Sequence, residues 1–185
     1  MTSDASASGT TPPGAAADLA ARFLALHRPG QPLLLPNPWD LGSAQILAEM
    51  GFEALATTSS GFAATLGRPD GSVTRDEAIG HAAVIARTIA LPVSADLENG
   101  YADDPQEVAG TVTAAIEAGL AGCSIEDSTG RADAPIYDGS LAAERVAAEF
   151  SPDEIAALLG LIVTINAWNA IAVSSRAWPP GSYQP

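Results

Sequence analysis

Leu91-Pro-Val-Ser-Ala-Asp-Leu-Glu-Asn-Gly-Tyr101 begins as an apolar run and ends in two carboxylates and a glycine turn. This is the pattern of a buried strand with chemistry at its exit. Side chains alternate along a strand, so Ser94, Asp96 and Glu98 are expected on one face and Val93, Ala95 and Leu97 on the other. Two ionised carboxylates that close together repel unless a cation or a shared proton intervenes. Mg²⁺, which binds through a few carboxylates and keeps several waters, suits such a pair. The plain alternative is an exposed strand end with solvated acids, since acids mostly face water.

The surrounding composition narrows the chemistry. The chain has 185 residues, 47% of them hydrophobic and 16% charged, enough for one domain with a real core. Its formal net charge of -14 argues against a nucleic-acid partner, which is bound through clustered Lys and Arg. All 8 of its Lys and Arg residues are Arg. A Schiff base, a pyridoxal phosphate aldimine and a Walker A loop each need a lysine amine, so none of them is open to this chain. A carbonyl substrate would have to be activated by a metal or by hydrogen bonds. Cys123 stands alone and forms neither an intrachain disulfide nor a thiolate cluster. His27 and His81 fall within expected helices, where a packed or solvated imidazole is the ordinary reading.

Residues 1–16 are rich in Ser, Thr, Ala, Pro and Gly and lack the basic and apolar regions of a signal peptide, so a disordered tail is expected. The apolar run from Ile155 to Val173 is interrupted by Thr164, Asn166 and Asn169 and is too polar for a membrane span. A cytoplasmic location without membrane contact is the expectation. Between these ends the text alternates. A helix is expected over Ala17–His27, a strand over Leu33–Asp40 and a helix from Gly42 to Met50 with Gly51 as its C-cap. A second strand follows over Phe52–Thr58, then a loop over Ser59–Gly71. Thr74 and Glu77 form a capping box for a helix reaching about Ala90. The third strand is the opening stretch, and Asp103-Asp-Pro-Gln-Glu107 starts a helix that ends near Gly119. Ala121–Asp127 is the fourth strand, on which parity sends either Glu126 or Asp127 inward but not both. Alternating strand and helix units of this kind imply an α/β protein with a parallel sheet. Acids at strand C-termini are where such sheets carry active sites, and the absence of a glycine-rich loop after strand one favours a barrel.

Four motifs resemble the isocitrate lyase and phosphoenolpyruvate mutase superfamily across roughly residues 23–146. Ser59-Ser-Gly-Phe is similar to its substrate-cradling loop, Arg68-Pro-Asp-Gly to its next acidic site, Asp96-Leu-Glu-Asn-Gly-Tyr to its metal motif and Ile125-Glu-Asp-Ser to its strand-four signature. The resemblance implies a Mg²⁺-dependent (β/α)₈ barrel enzyme, with Mn²⁺ as a substitute. It implies action on small 2-oxo or 2-hydroxy carboxylates, making or breaking a C–C or C–P bond through an enolate. Carried over by motif, Asp96 would bind the metal directly, with Asp70, Glu98 and Glu126 holding its waters. Ser60 and the backbone amides of Gly61 and Phe62 would receive the substrate oxygens. On the residues alone, Asp70 also reads as a turn residue in Pro-Asp-Gly.

The chain departs from that pattern in two ways. The superfamily's lyases place a Lys-Lys/Arg-Cys-Gly-His sequence after strand four, and here Ser128–Asp138 has no Cys, Lys or His. A barrel also needs about 250 residues, so four units in residues 17–148 amount to a half-barrel. From about residue 149 the text changes to one long apolar helix, capped by Ser151 and Pro152 and ending near Trp178. Its Ile165-Asn-Ala-Trp-Asn-Ala-Ile-Ala-Val resembles the last helix of the carboxymuconolactone decarboxylase and alkylhydroperoxidase-like family, without that family's Cys pair. Residues 149–185 are therefore expected to be a helix and tail of different origin. Three functions follow: an enolate enzyme impaired by truncation, an inactive remnant that still binds metal, or an alkylhydroperoxidase-like helical protein. Self-association is expected of a half-barrel with bare sheet edges.

Overall fold

The computed structural model describes residues 13–148, with side chains from residue 18. The expected helix over residues 152–175 and the boundary at residue 149 lie outside the described residues, as do residues 1–12 of the expected tail. The described elements run α1 (Pro13–Leu26), α2 (Leu41–Glu49), β1 (Leu55–Ala56), α3 (Ser59–Thr65), α4 (Arg75–Thr88), β2 (Val93–Asp96), α5 (Pro105–Glu117), β3 (Gly122–Ser124) and α6 (Gly139–Ala147). The α/β reading holds in coarse form, with parallel strands in the order β1-β2-β3. Leu55 and Ala56 lie opposite Val93 and Ser94, and Ser94, Ala95 and Asp96 lie opposite Gly122, Cys123 and Ser124.

The sheet has three strands among the described residues and not the four expected. Leu33–Asp40 forms no strand. Pro32, Pro36 and Pro38 have no N–H to give a ladder, which confines this segment to the margin of the sheet. It runs beside β1, where the Ala56 amide donates to the Pro36 carbonyl at 3.1 Å and Asn37 Nδ2 donates to the Ala56 carbonyl at 3.0 Å. A second correction is α3, which occupies the start of the expected loop over Ser59–Gly71. α1 also begins earlier than Ala17, at Pro13. Proline suits a helix start, where its missing N–H would have no partner in any case.

Helix starts follow the capping chemistry of the sequence. Asp40 and Ser43 form a capping box for α2, Thr74 and Glu77 another for α4, and the Asp104 side chain caps α5 with Pro105 behind it. Gly51 follows α2 with φ 90°, the left-handed turn that ends a helix.

Side-chain alternation is as read from the sequence up to Asp96, where β2 ends; Glu98, expected on the same face by strand alternation, lies beyond the strand in a left-handed turn. Val93, Ala95 and Leu97 are buried, whereas Ser94 and Asp96 are only partly so. The buried set packs with Leu55 of β1, Ala82, Ile85 and Ile89 beside α4, and Ala115 and Leu120 beside α5. The largest fully buried side chains are Leu55, Ile85, Leu97 and Val93. Each contributes about 1.5–3 kcal/mol by leaving water. Alanine dominates the helix side of this core, so the helices lie close on the sheet. The opposite face carries Ser94 and Asp96. At its lower end Phe23 of α1 lies against Gly122, where an added Cβ would come within 2.9 Å of the ring. Glycine at residue 122 is what lets α1 approach the strand.

Candidate active site

The exits of β2 and β3 open into a cleft of about 700 Å³. Asp70, Glu98 and Glu126 line it together with Ser59, Asn99 and Tyr101. Asp96 ends β2 at its base. Its Oδ2 accepts from the Ser59 amide at 2.9 Å and from Ser59 Oγ at 2.8 Å, while Oδ1 accepts from the Glu98 amide at 3.2 Å. A carboxylate has about four lone-pair sites, so this one is fixed in orientation yet retains capacity for a ligand. The fixing partner is the first residue of α3. Thr58 caps that helix because Ser and Thr side chains at an N-cap satisfy an otherwise orphaned amide.

Glu98 follows Asp96 in a left-handed conformation, with φ 47°. Its carbonyl accepts from the Glu126 amide at 2.7 Å, which ties the two strand exits together. Burial raises the Glu98 carboxyl above its usual range, and the charges of Asp70, Asp96 and Glu126 push it the same way. Glu126 is raised for the same reasons, burial first and then Asp96, Asp70 and Asp127. The four acids thus share one electrostatic environment. Asp70 fills both of its sequence roles, since its Oδ1 accepts from the Gly71 amide at 3.1 Å in the turn while its side chain borders the cleft. Arg68 holds that loop by pairing with Glu77 at 2.9 Å.

Glu98 Oε1 and the Tyr101 hydroxyl are buried at this mouth with no partner at good hydrogen-bond geometry among the described residues, although the two side chains lie near enough to interact with each other. A buried carboxylate oxygen left unpaired is costly. Among the described residues no three His, Cys, Asp or Glu side chains stand close enough to hold an ion between them directly. The donors are all oxygen, and Glu98 Oε1 is buried beside the charges of Asp70, Asp96 and Glu126. That set fits a hard cation retaining part of its water shell, as Mg²⁺ does.

The expected substrate-binding trio is arranged differently. The Gly61 amide faces Thr58 Oγ1 at 3.4 Å and the Phe62 amide donates to the Thr58 carbonyl at 3.0 Å, so α3 itself takes both donors. The Ser60 side chain is exposed. Ser59, passed over in the sequence in favour of Ser60, is the serine on the cleft and on Asp96. Gly61 has a packing reason instead, because an added Cβ would lie 2.6 Å from Thr58 Cγ2 and 3.1 Å from Trp39 Cβ. Phe62 stacks on His81 with ring centres 3.9 Å apart, and burial lowers the His81 pKa. His81 is therefore a packing residue, whereas His27 is exposed. His27 Nδ1 lies 2.9 Å from the Phe23 carbonyl within α1. Cys123 lies in β3 against the main core, away from the cleft lining.

The phosphoenolpyruvate phosphomutase family model matches residues 23–167, most of the chain. The chain belongs to this family. An uncharacterized protein of Mycobacterium tuberculosis H37Rv is 39% identical over 127 residues, which are 68% of this chain and 46% of that protein. The 2-methylisocitrate lyase of Escherichia coli K12 is 31% identical over 119 residues, 58% of this chain and 40% of the lyase. Among solved structures, a candidate lyase/mutase from Burkholderia cenocepacia J2315 superposes with a TM-score of 0.71 at 51% identity, covering 73% of this chain and 49% of that one. A 2,3-dimethylmalate lyase of the PEP mutase/isocitrate lyase superfamily superposes with a TM-score of 0.63 at 29% identity, covering 73% and 47%. The phosphomutase-family chain spans about half the length of these relatives, and their named members are lyases or mutases of small carboxylates. No helix among the described residues is long and apolar enough to cross a membrane.

Proposed function

We propose that this chain carries the cation-binding side of a lyase- or mutase-type site for small 2-oxo or 2-hydroxy carboxylates, with Mg²⁺ as the resident ion and Mn²⁺ as a substitute. The observation that carries this reading is the gathering of Asp70, Glu98 and Glu126 on one cleft, beside Asp96, with no basic side chain in its lining among the described residues. A divalent cation at this position would polarise a substrate carbonyl and stabilise charge developing as an enolate. The chain's own part is positional. Ser59 and the Glu98 amide hold Asp96 in one orientation, and Asp70 and Glu126 border the cleft from the loop after α3 and the exit of β3.

The segment after β3 lacks the Cys, Lys and His of the lyase loop. This favours a C–P or hydrolytic outcome, or binding without turnover, over cleavage that needs a cysteine acid. A (β/α)₈ barrel has eight strands, of which the described residues form three. An alkylhydroperoxidase-like function leaves the parallel sheet unexplained.

The test is calorimetric. Mg²⁺ and Mn²⁺ should bind the folded chain and raise its thermal midpoint by mass action, and Asp96→Ala should abolish both effects while leaving the circular dichroism intact. No binding at millimolar Mg²⁺, or equal binding by the variant, overturns the assignment. Oxaloacetate, 2-methylisocitrate and phosphonopyruvate, each screened with Mg²⁺, would then define the substrate.

A further inference from the structure

Arg145, on α6, is buried at 5% exposure and forms no ion pair among the described residues. A guanidinium taken out of water without a carboxylate partner is unfavourable unless other groups hold it. Here the partners are the Asn99 carbonyl, to which its Nη2 donates, and the face of Tyr137, 3.9 Å from the guanidinium carbon. Both lead to one place.

Residues 98–101 form a turn in which Glu98, Gly100 and Tyr101 have φ of 47°, 78° and 61°. Two non-glycine residues in this region store conformational strain, which persists only where the surroundings hold it. Each carbonyl from Leu97 to Gly100 is caught. The Gly100 amide takes that of Leu97 at 2.8 Å, the Glu126 amide takes that of Glu98, Thr111 Oγ1 takes that of Gly100 at 2.8 Å, and Arg145 takes that of Asn99. The Asn99 side chain is held as well, donating to the Tyr137 hydroxyl at 2.9 Å while its Oδ1 accepts from the Tyr101 amide at 3.0 Å. The Tyr137 hydroxyl in turn donates to Asp103. Arg145 is the one charged side chain among the groups that grip the turn's carbonyls.

We propose that Arg145 is a positioning residue for the acidic mouth: by gripping the Asn99 carbonyl and the Tyr137 ring, it keeps the Glu98–Tyr101 turn left-handed and so aims Glu98 at a bound divalent cation. This rests on the reading of the mouth as a cation site. Groups that orient metal ligands from behind typically change affinity by about 10–100-fold when removed.

The experiment titrates Mn²⁺ into the wild-type chain, Arg145→Met, Arg145→Lys and Tyr137→Phe, and follows amide hydrogen exchange in metal-free samples of each. Arg145→Met is expected to bind Mn²⁺ at least about tenfold more weakly. Without metal, its Gly100 and Glu126 amides should exchange faster while those of α4 remain unchanged. Arg145→Lys, which keeps a donor and a charge, should recover part of both effects, and Tyr137→Phe should lose less than Arg145→Met. A folded Arg145→Met with wild-type Mn²⁺ affinity, or with unaltered exchange at Gly100 and Glu126, overturns the proposal. If Arg145→Met does not fold, Arg145→Lys decides on the same two measurements. A wild-type chain that binds no Mn²⁺ overturns the cation site, and with it the role given to Arg145, whereas failure in the variants alone removes only that role.

Discussion

Gly61 shows how one residue can have a reason other than the one its motif suggests. Its neighbours leave no room for a side chain, so Gly61→Ala should push the start of α3 away from Thr58 and Trp39. We expect a loss of about 1–3 kcal/mol, measured by urea denaturation, together with weaker Mg²⁺ binding as Ser59 is drawn off Asp96. Wild-type stability in that variant would remove the packing argument. At this scale the sequence was readable where chemistry coincided with period. Asp96 stood at the end of an alternating strand, and Glu98 and Glu126 lay near enough to strand exits to be found with it. Asp70 was visible only through the family motif, because a turn alone accounts for an Asp between Pro and Gly. Ser59 was missed for a geometric reason, since nothing local tells which of two adjacent serines faces a carboxylate 37 residues away. Arg145 did leave a trace, an arginine spaced from Leu141 and Ala142 as one stripe of a helix, but that spacing cannot name the carbonyl it meets.

Helices were legible through their first turns more than through their interiors. The α4 box is the clearest, with the Thr74 amide and hydroxyl both donating to Glu77 Oε2 at 2.9 Å. These bonds, followed by Arg68, hold the Glu77 carboxyl below its usual range. A carboxyl whose folded value lies below its unfolded one adds stability that is fully present above the unfolded value, near 4.5, and is lost as pH falls through the folded value. The wild-type chain should therefore lose more stability than Glu77→Gln as pH is lowered below about 4.5, which thermal melts along a pH series would measure. Parallel curves would mean that the box contributes nothing through charge. α3 escaped the sequence reading because seven residues with an internal glycine offer too few turns for periodicity, and its existence depends on a cap and on Asp96. The segment Leu33–Asp40 failed in the opposite sense. Its apolar run suggested a strand, but its prolines could not supply the ladder.

For the whole molecule, β3 has no strand on its outer side among the described residues, and the Ser94–Asp96 face of β2 is only partly covered. Open edges and faces of this kind favour pairing with another chain. Light scattering at micromolar concentration is expected to give a dimer or larger species, and the association should strengthen with salt, because a net charge of -14 repels copies until it is screened. A monomer at every salt concentration would contradict this. The order of the sheet has a separate consequence. β1, β2 and β3 are neighbours in space in the same order as in the chain, and every group assigned to the mouth lies between Ser59 and Arg145. During synthesis β2 and β3 would therefore each emerge with the preceding strand already made. No group assigned to the mouth comes from a residue C-terminal to α6, so the acids are expected to assemble in the nascent chain as soon as α6 has left the exit tunnel, while the residues that follow it are still inside.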